Sequence, residues 1–185
     1  MAESQRLTRL VNNVLDFSRL EQGRKTYSRE TFDLRGAVRA VLDAQAGRLQ
    51  EAGVRLDVRM PEVPLRVRAD RDALEQAVLN LLDNAVKYAG AGGELTVEAG
   101  RDGPGCRVRF LDRGPGVPPS HRTRIFEKFH RVDDSLAARQ PGSGLGLAIA
   151  RQLLRDLGGD LAYRPRKGGG ASFEITLPCE EGEAG

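Results

Sequence analysis

Residues 71 to about 89 carry an uninterrupted helical repeat. Leu74, Val78, Leu81 and Ala85 recur at three- and four-residue spacing and predict one buried stripe. Asp70 stands where an N-cap carboxylate would, and Gly90, Gly92 and Gly93 supply the stop. On the flank of that stripe Asn80, Asn84 and Lys87 fall on one side, and Tyr88 lies between the two faces. Asparagine competes for its own backbone and ranks below alanine or leucine as a helix former. Two of them one turn apart therefore point to a demand other than helix formation, although a solvated polar face would carry the same pattern.

The rest of the chain arranges itself around this helix. Leu7, Leu10, Val14 and Phe17, widened by Val11 and Leu15, predict an N-terminal helix with a partner-seeking face, and Tyr27 to Glu30 reads as a connector. Thr31–Asp33 is predicted as a short strand. A helix over Leu34–Glu51 follows, ended by Gly53. Val54–Val58 and Arg66–Ala69 read as strands, and Glu94–Glu98 with Cys106–Leu111 as an antiparallel pair joined by a Gly- and Pro-rich turn. After Asp112 a long connection runs to Pro141 with only a short amphipathic helix around His121–Phe129. Connections of that length in a compact domain are usually functional. A last helix, Ser143–Leu157, and two strands, Asp160–Arg164 and Ser172–Leu177, complete the domain. The expected fold is α+β: a two-layer α/β sandwich of a mixed sheet covered on one face by helices.

Composition narrows the function. The 29 basic and 26 acidic residues leave a net charge of +3, and they are scattered without interleaved aromatics, so nucleic acid is not an expected partner. Cys106 and Cys179 are far apart, lack metal-ligand spacing and follow no secretory leader, so the expectation is two reduced thiols in a cytoplasmic setting. No apolar stretch approaches the roughly 20 residues that span a bilayer, which leaves a membrane-anchored parent open.

Three segments carry chemistry. On the central helix, a neutral carbonyl oxygen can ligate a magnesium ion shared with nucleotide phosphates, and the amine of Lys87 can meet the phosphates directly. At the predicted strand end, Asp112-Arg-Gly114-Pro-Gly116 offers a carboxylate to an exocyclic amino group and glycines beside which a flat base can lie. That suits adenine over guanine, while an ordinary Asp-Gly turn would look the same. Gly142-Ser-Gly144-Leu145-Gly146-Leu147 opens the last helix and would expose backbone N–H groups to phosphate. Its spacing fits neither the dinucleotide fingerprint nor a P-loop.

In order and spacing these segments resemble the N, G1 and G2 boxes of the histidine-kinase branch of the GHKL superfamily, which also holds gyrase, Hsp90 and MutL. Ile125-Phe-Glu-Lys-Phe-His-Arg-Val-Asp133 resembles its F box, and Gly168-Gly-Gly-Ala-Ser-Phe173 with Ile175-Thr-Leu-Pro178 its closing strand. Leu10-Val-Asn-Asn-Val-Leu-Asp-Phe-Ser-Arg-Leu-Glu-Gln-Gly23 is similar to the end of the second dimerisation helix, without the helix that bears the acceptor histidine.

The resemblance implies the histidine-kinase ATPase (Bergerat) fold over residues 29–178, the end of a dimerisation helix and linker over 1–28, and a polar tail over 179–185. It implies a protein histidine kinase fragment using ATP and Mg²⁺. Asn84 would be the metal ligand, Asn80, Lys87 and Tyr88 would lie near the phosphates, and Asp112, Gly114 and Gly116 would form the base pocket. Lys128 and Arg131 would reach the γ-phosphate, and Gly142, Gly144 and Gly146 with Leu145 and Leu147 would form the lid hinge and phosphate cradle. Expected partners are ATP or ADP, the phosphoacceptor histidine domain, a response regulator and a second copy through the N-terminal helix. Family ATPases carry a glutamate where this chain has Asn80, which disfavours hydrolysis. A GHKL-type ATPase and a non-catalytic nucleotide-binding module are the alternatives.

Overall fold

The computed structural model describes residues 25–88, 93–132 and 143–180, so the expected N-terminal helix and the C-terminal tail beyond residue 180 lie outside the described residues. Strand β1 (Arg29–Asp33) leads into α1 (Leu34–Glu51), whose first turn is capped by the Asp33 carboxylate accepting from Arg35 N at 3.1 Å. The helix stops where the periodicity stops: Gly53 sits in the left-handed region at φ 72°. Then come β2 (Arg55–Arg59), β3 (Arg66–Asp70) and the central helix α2 (Arg71–Tyr88). Asp70 Oδ1 accepts from Ala73 N at 2.8 Å, the capping bond anticipated for that residue. All four stripe residues of α2 are buried, joined by Ala73, Ala77 and Leu82.

The antiparallel pair is β4 (Glu94–Asp102) and β5 (Gly105–Asp112), and α3 (Gly146–Asp156), β6 (Asp160–Pro165) and β7 (Ala171–Pro178) close the domain. The main sheet has the order β2-β4-β5-β7-β6, with β2 parallel to β4 and every other pair antiparallel. A separate two-stranded sheet pairs β1 with β3. The expected mixed sheet with helices is present, and among the described residues its α-helices are α1, α2 and α3.

Alternation along the strands explains why helices cover only one face. Leu95, Val97, Val108, Phe110, Phe173 and Ile175 point into the core with the buried residues of all three helices. The other face carries a row of alternating charge, Arg59, Glu98, Arg109 and Glu174 at paired positions on β2, β4, β5 and β7. Arg109 meets Glu98 at 2.7 Å and Arg164 meets Glu174 at 2.9 Å. A face so charged offers little apolar area for a helix to cover.

Three expectations need correction. The segment His121–Phe129 is not a helix: a single 3-10 turn (Pro119–His121) is followed by successive turns, and Phe129 lies at φ 60°, which an α-helix cannot include. Helix α3 begins at Gly146 and not at Ser143, because Gly144 is held left-handed at φ 71°. The cysteines are not a separated pair of thiols. The β5–β7 register sets Gly105 against Pro178 and Cys106 against Leu177, so Cys179 arrives beside Cys106, and the two form a disulfide with Cα atoms 5.3 Å apart.

Candidate nucleotide site

The three sequence segments meet at the ends of their elements. Helix α2 brings Asn80 under the first turn of α3, where a Cβ on Gly146 would lie 3.6 Å from Asn80 Oδ1. Its last turn brings Tyr88 against the loop after β5, and a Cβ on Gly114 would fall on the Tyr88 carbonyl oxygen. Only glycine permits that approach. The central helix thus touches both glycine segments, while Asn84 and Lys87, half-buried, occupy its span between them.

Asp112 ends β5 and is buried with its side chain gripped from two sides. Its Oδ1 accepts from Gly114 N at 2.8 Å and from Ala171 N at 3.1 Å. Among the described residues no hydrogen bond reaches Oδ2. Burial pushes the carboxyl above its ordinary range, and the two backbone N–H groups and the nearby Arg166 guanidinium pull the other way. The arrangement leaves one acceptor oxygen, in a desolvated place, for a donor that is not part of the chain.

The start of α3 is prepared for an anion. No side chain caps it; its cap residue is Leu145, whose own N–H is taken by Ser143 Oγ at 3.3 Å. Among the described residues the first-turn amides of Gly146 and Leu147 have no side-chain cap, and the helix field favours negative charge there. Beside them Asn80 Nδ2 is buried and has no partner among the described residues. An orphaned buried donor costs about 1–3 kcal/mol unless something outside the protein accepts from it. A phosphate oxygen would.

The donor set also fits a magnesium ion shared with phosphates. No cluster of three or more His, Cys, Asp or Glu side chains capable of holding a metal occurs among the described residues. A hard cation that keeps most of its shell from water and phosphate needs only one neutral oxygen such as that of Asn84.

Lys128 and Arg131 are exposed on the segment leading to residues 133–142, which lie outside the described residues together with Gly142. The stem of that segment is fastened: Phe129 N donates to Gly144 O at 3.1 Å. His121 Nδ1 and His130 Nε2 face one another at 3.1 Å, so each ring commits one nitrogen to the other.

Three groups were missed by the sequence reading. Arg166 donates from Nη1 to the main-chain oxygen of Asp112 at 3.0 Å, across 54 residues. Gly170, at φ 98°, lies so close that a Cβ would strike the same oxygen. The run Gly168-Gly-Gly170 was the available signal, since three successive glycines imply close backbone approach. Arg151 is a third such group. Its guanidinium lies 4.6 Å over the Phe126 ring while it grips Asp160, tying the turns that follow β5 to α3.

A mixed sheet with helices on one face, and a site where an acidic strand end meets a polar helix face and an uncapped glycine-led helix, defines a nucleotide-binding α/β sandwich. The chain belongs to the histidine kinase-, DNA gyrase B-, and HSP90-like ATPase family, whose model matches residues 69–181. It is 38% identical over 171 residues to sensor protein KdpD of Escherichia coli (strain K12), covering 92% of this chain and 19% of KdpD. It is 36% identical over 170 residues to histidine protein kinase DivJ of Caulobacter vibrioides, covering 91% of this chain and 28% of DivJ. The crystal structure of full-length ShkA in complex with AMPPNP superposes with a TM-score of 0.84 at 35% identity, covering 98% of this chain and 38% of that one. The chain therefore spans well under half the length of these relatives. Among the described residues no helix is long and apolar enough to cross a membrane.

Proposed function

We propose that this chain is the ATP-binding catalytic part of a two-component sensor histidine kinase, and that it delivers the γ-phosphate of ATP to a histidine on a dimerisation domain. Residues 29–178 form the catalytic domain in this reading, 1–28 the end of the dimerisation helix and linker, and 179–185 a tail. The observation that carries it is the buried, unpartnered Asn80 Nδ2 lying beside the open first turn of α3. That pair of features asks for an anion. Similarity to KdpD, DivJ and ShkA supports the same reading.

The roles follow from the chemistry of each group. Asp112 Oδ2 accepts from the adenine amino group, and Gly114 and Gly116 let the base lie against backbone. Asn84 contributes one oxygen to magnesium, which when bound neutralises phosphate charge. Asn80, Lys87 and Tyr88 orient the phosphates from α2. Gly142, Gly144 and Gly146, with Leu145 and Leu147, hinge the lid and cradle phosphate. Lys128 and Arg131 meet the γ-phosphate from the lid, where charge develops during transfer. Asn80 is an amide and cannot take a proton from water, so the site favours transfer to an imidazole over hydrolysis.

In this reading the partners are an acceptor-histidine domain, a response regulator and a second copy through the N-terminal helix, in the cytoplasmic portion of a parent that a membrane segment can anchor. His121 and His130 each commit one ring nitrogen to the other, and in this reading neither is the acceptor. The test is incubation with labelled ATP and Mg²⁺, with and without a separately supplied acceptor helical hairpin. Acid-labile label should appear on the hairpin and not on this chain. Steady phosphate release without an acceptor would instead favour the ATPase reading, and tight ATP binding with neither reaction the regulatory-module reading.

A further inference from the structure

The base-recognising carboxylate is braced by a part of the fold that none of the nucleotide-binding segments contains. The turn joining β6 to β7, residues 166–170, lies behind Asp112. Arg166 Nη1 donates to the Asp112 main-chain oxygen at 3.0 Å, Gly170 packs on that same oxygen, and Ala171 N holds Oδ1 at 3.1 Å. The turn also touches the glycine loop in front, because a Cβ on Gly116 would lie 2.9 Å from Gly170 O. Asp112 is consequently fixed at its backbone by Arg166 and at one carboxylate oxygen by two amides, which leaves a single direction for Oδ2.

We infer that Arg166 is a positioning residue for base selection: by fastening the Asp112 carbonyl it aims the uncommitted Oδ2, and so sets how strongly a 6-amino purine is preferred over a 6-oxo purine. This rests on the reading of Asp112 given above. The physical reason is that discrimination depends on alignment more than on the mere presence of an acceptor. A well-aimed oxygen gains a bond from an amino group and opposes the lone pairs of a carbonyl, whereas a carboxylate free to turn can avoid that opposition. The charge of Arg166 acts in the same sense, since it favours the ionised carboxylate, which only accepts, over a neutral carboxyl, which could donate to a carbonyl. Among the described residues the side-chain hydrogen bond of Arg166 goes to Asp112, on the base side of the site. Its effect should therefore appear in base preference and not in phosphate affinity.

The experiment measures competition by ATP, GTP and inorganic tripolyphosphate, each with Mg²⁺, for the full chain and for Arg166→Ala and Arg166→Gln. The expected result is a fall in the ATP-over-GTP ratio of about tenfold for Arg166→Ala, a value equivalent to losing one aligned hydrogen bond. Arg166→Gln, which retains a donor of shorter reach, should fall less. Tripolyphosphate affinity should stay unchanged in both, which also reports that the variants are folded. A ratio that survives loss of Arg166 overturns the inference while leaving Asp112 in place, and so does a parallel loss for all three ligands. A wild-type chain with no preference for ATP over GTP would sink the reading of Asp112 itself, and this inference with it.

Discussion

Tyr27 donates its hydroxyl hydrogen to Asp156 at 2.6 Å, joining the connector that precedes the domain to the last residue of α3. The same helix opens at its other end in the glycine cradle. Two further bonds hold the connector: Arg29 Nη2 donates to Asp156 O at 2.6 Å, and Ser28 N to Asp70 Oδ2 at 2.7 Å. Asp70 caps α2 with its other oxygen. The connector is thus fastened to the C-terminal end of one site helix and the N-terminal end of the other.

Tyr27→Phe should release this attachment without touching the nucleotide. Burial and the Asp156 carboxylate push the phenol well above its ordinary range, so the hydroxyl stays protonated and the bond persists through neutral and mildly alkaline pH. We expect a stability loss of about 1 kcal/mol, faster hydrogen exchange over residues 25–30, and an unchanged ATP affinity. Unaltered exchange in that stretch would show that the bond does not hold the connector.

Asp160 predicts the acid limb of stability. The Arg151 hydrogen bond, aided by Arg155, holds its carboxyl down at about 2, so this contribution is present above the ordinary carboxylate range. It is lost as pH falls from about 4 through about 2, where the folded state must take up a proton it binds weakly. Urea midpoints at pH 7 and pH 3 should differ less for Asp160→Asn than for the parent chain. An identical difference in both proteins would assign the acid limb to other carboxylates.

Asn84→Ala should remove the metal-dependent part of ATP affinity and little else. Its carboxamide is the neutral oxygen available on α2 between the two glycine segments. Titration calorimetry with Mg²⁺ and with chelator separates the two contributions. Equal losses in both conditions would take Asn84 out of the metal's shell.

The Cys106–Cys179 disulfide closes a loop of sequence separation 73 and ties the end of β7 to β5, next to the β3 bridge from Val67 to Cys179. Loop-closure entropy for such a span corresponds to about 4 kcal/mol. Reduction should lower the melting temperature by roughly 5–15 °C, as should Cys179→Ser. A thiol titration of the unfolded, unreduced chain that found two reactive thiols would contradict the bond.

What the sequence determined by itself was everything governed by short-range repetition. The stripe of α2, the Asp70 cap, the bounds of α1 and the β4–β5 hairpin follow from three- and four-residue spacing, alternation and turn chemistry, each of which operates within a few residues. Placing Asn80, Asn84 and Lys87 on one face needed only the helical period. Where local preference conflicted with a distant neighbour, the neighbour decided. An amphipathic pattern over His121–Phe129 gave way because Phe129 had to meet Gly144 with its backbone, and the last helix lost its first turn to the same contact. The disulfide, the Arg166 contact behind Asp112 and the Tyr27 attachment join residues 54 to 129 positions apart. No spacing rule reaches so far. These pairings come from the strand register and from how helices seat on a twisted sheet, where the burial of the whole core outweighs the preference of any one segment.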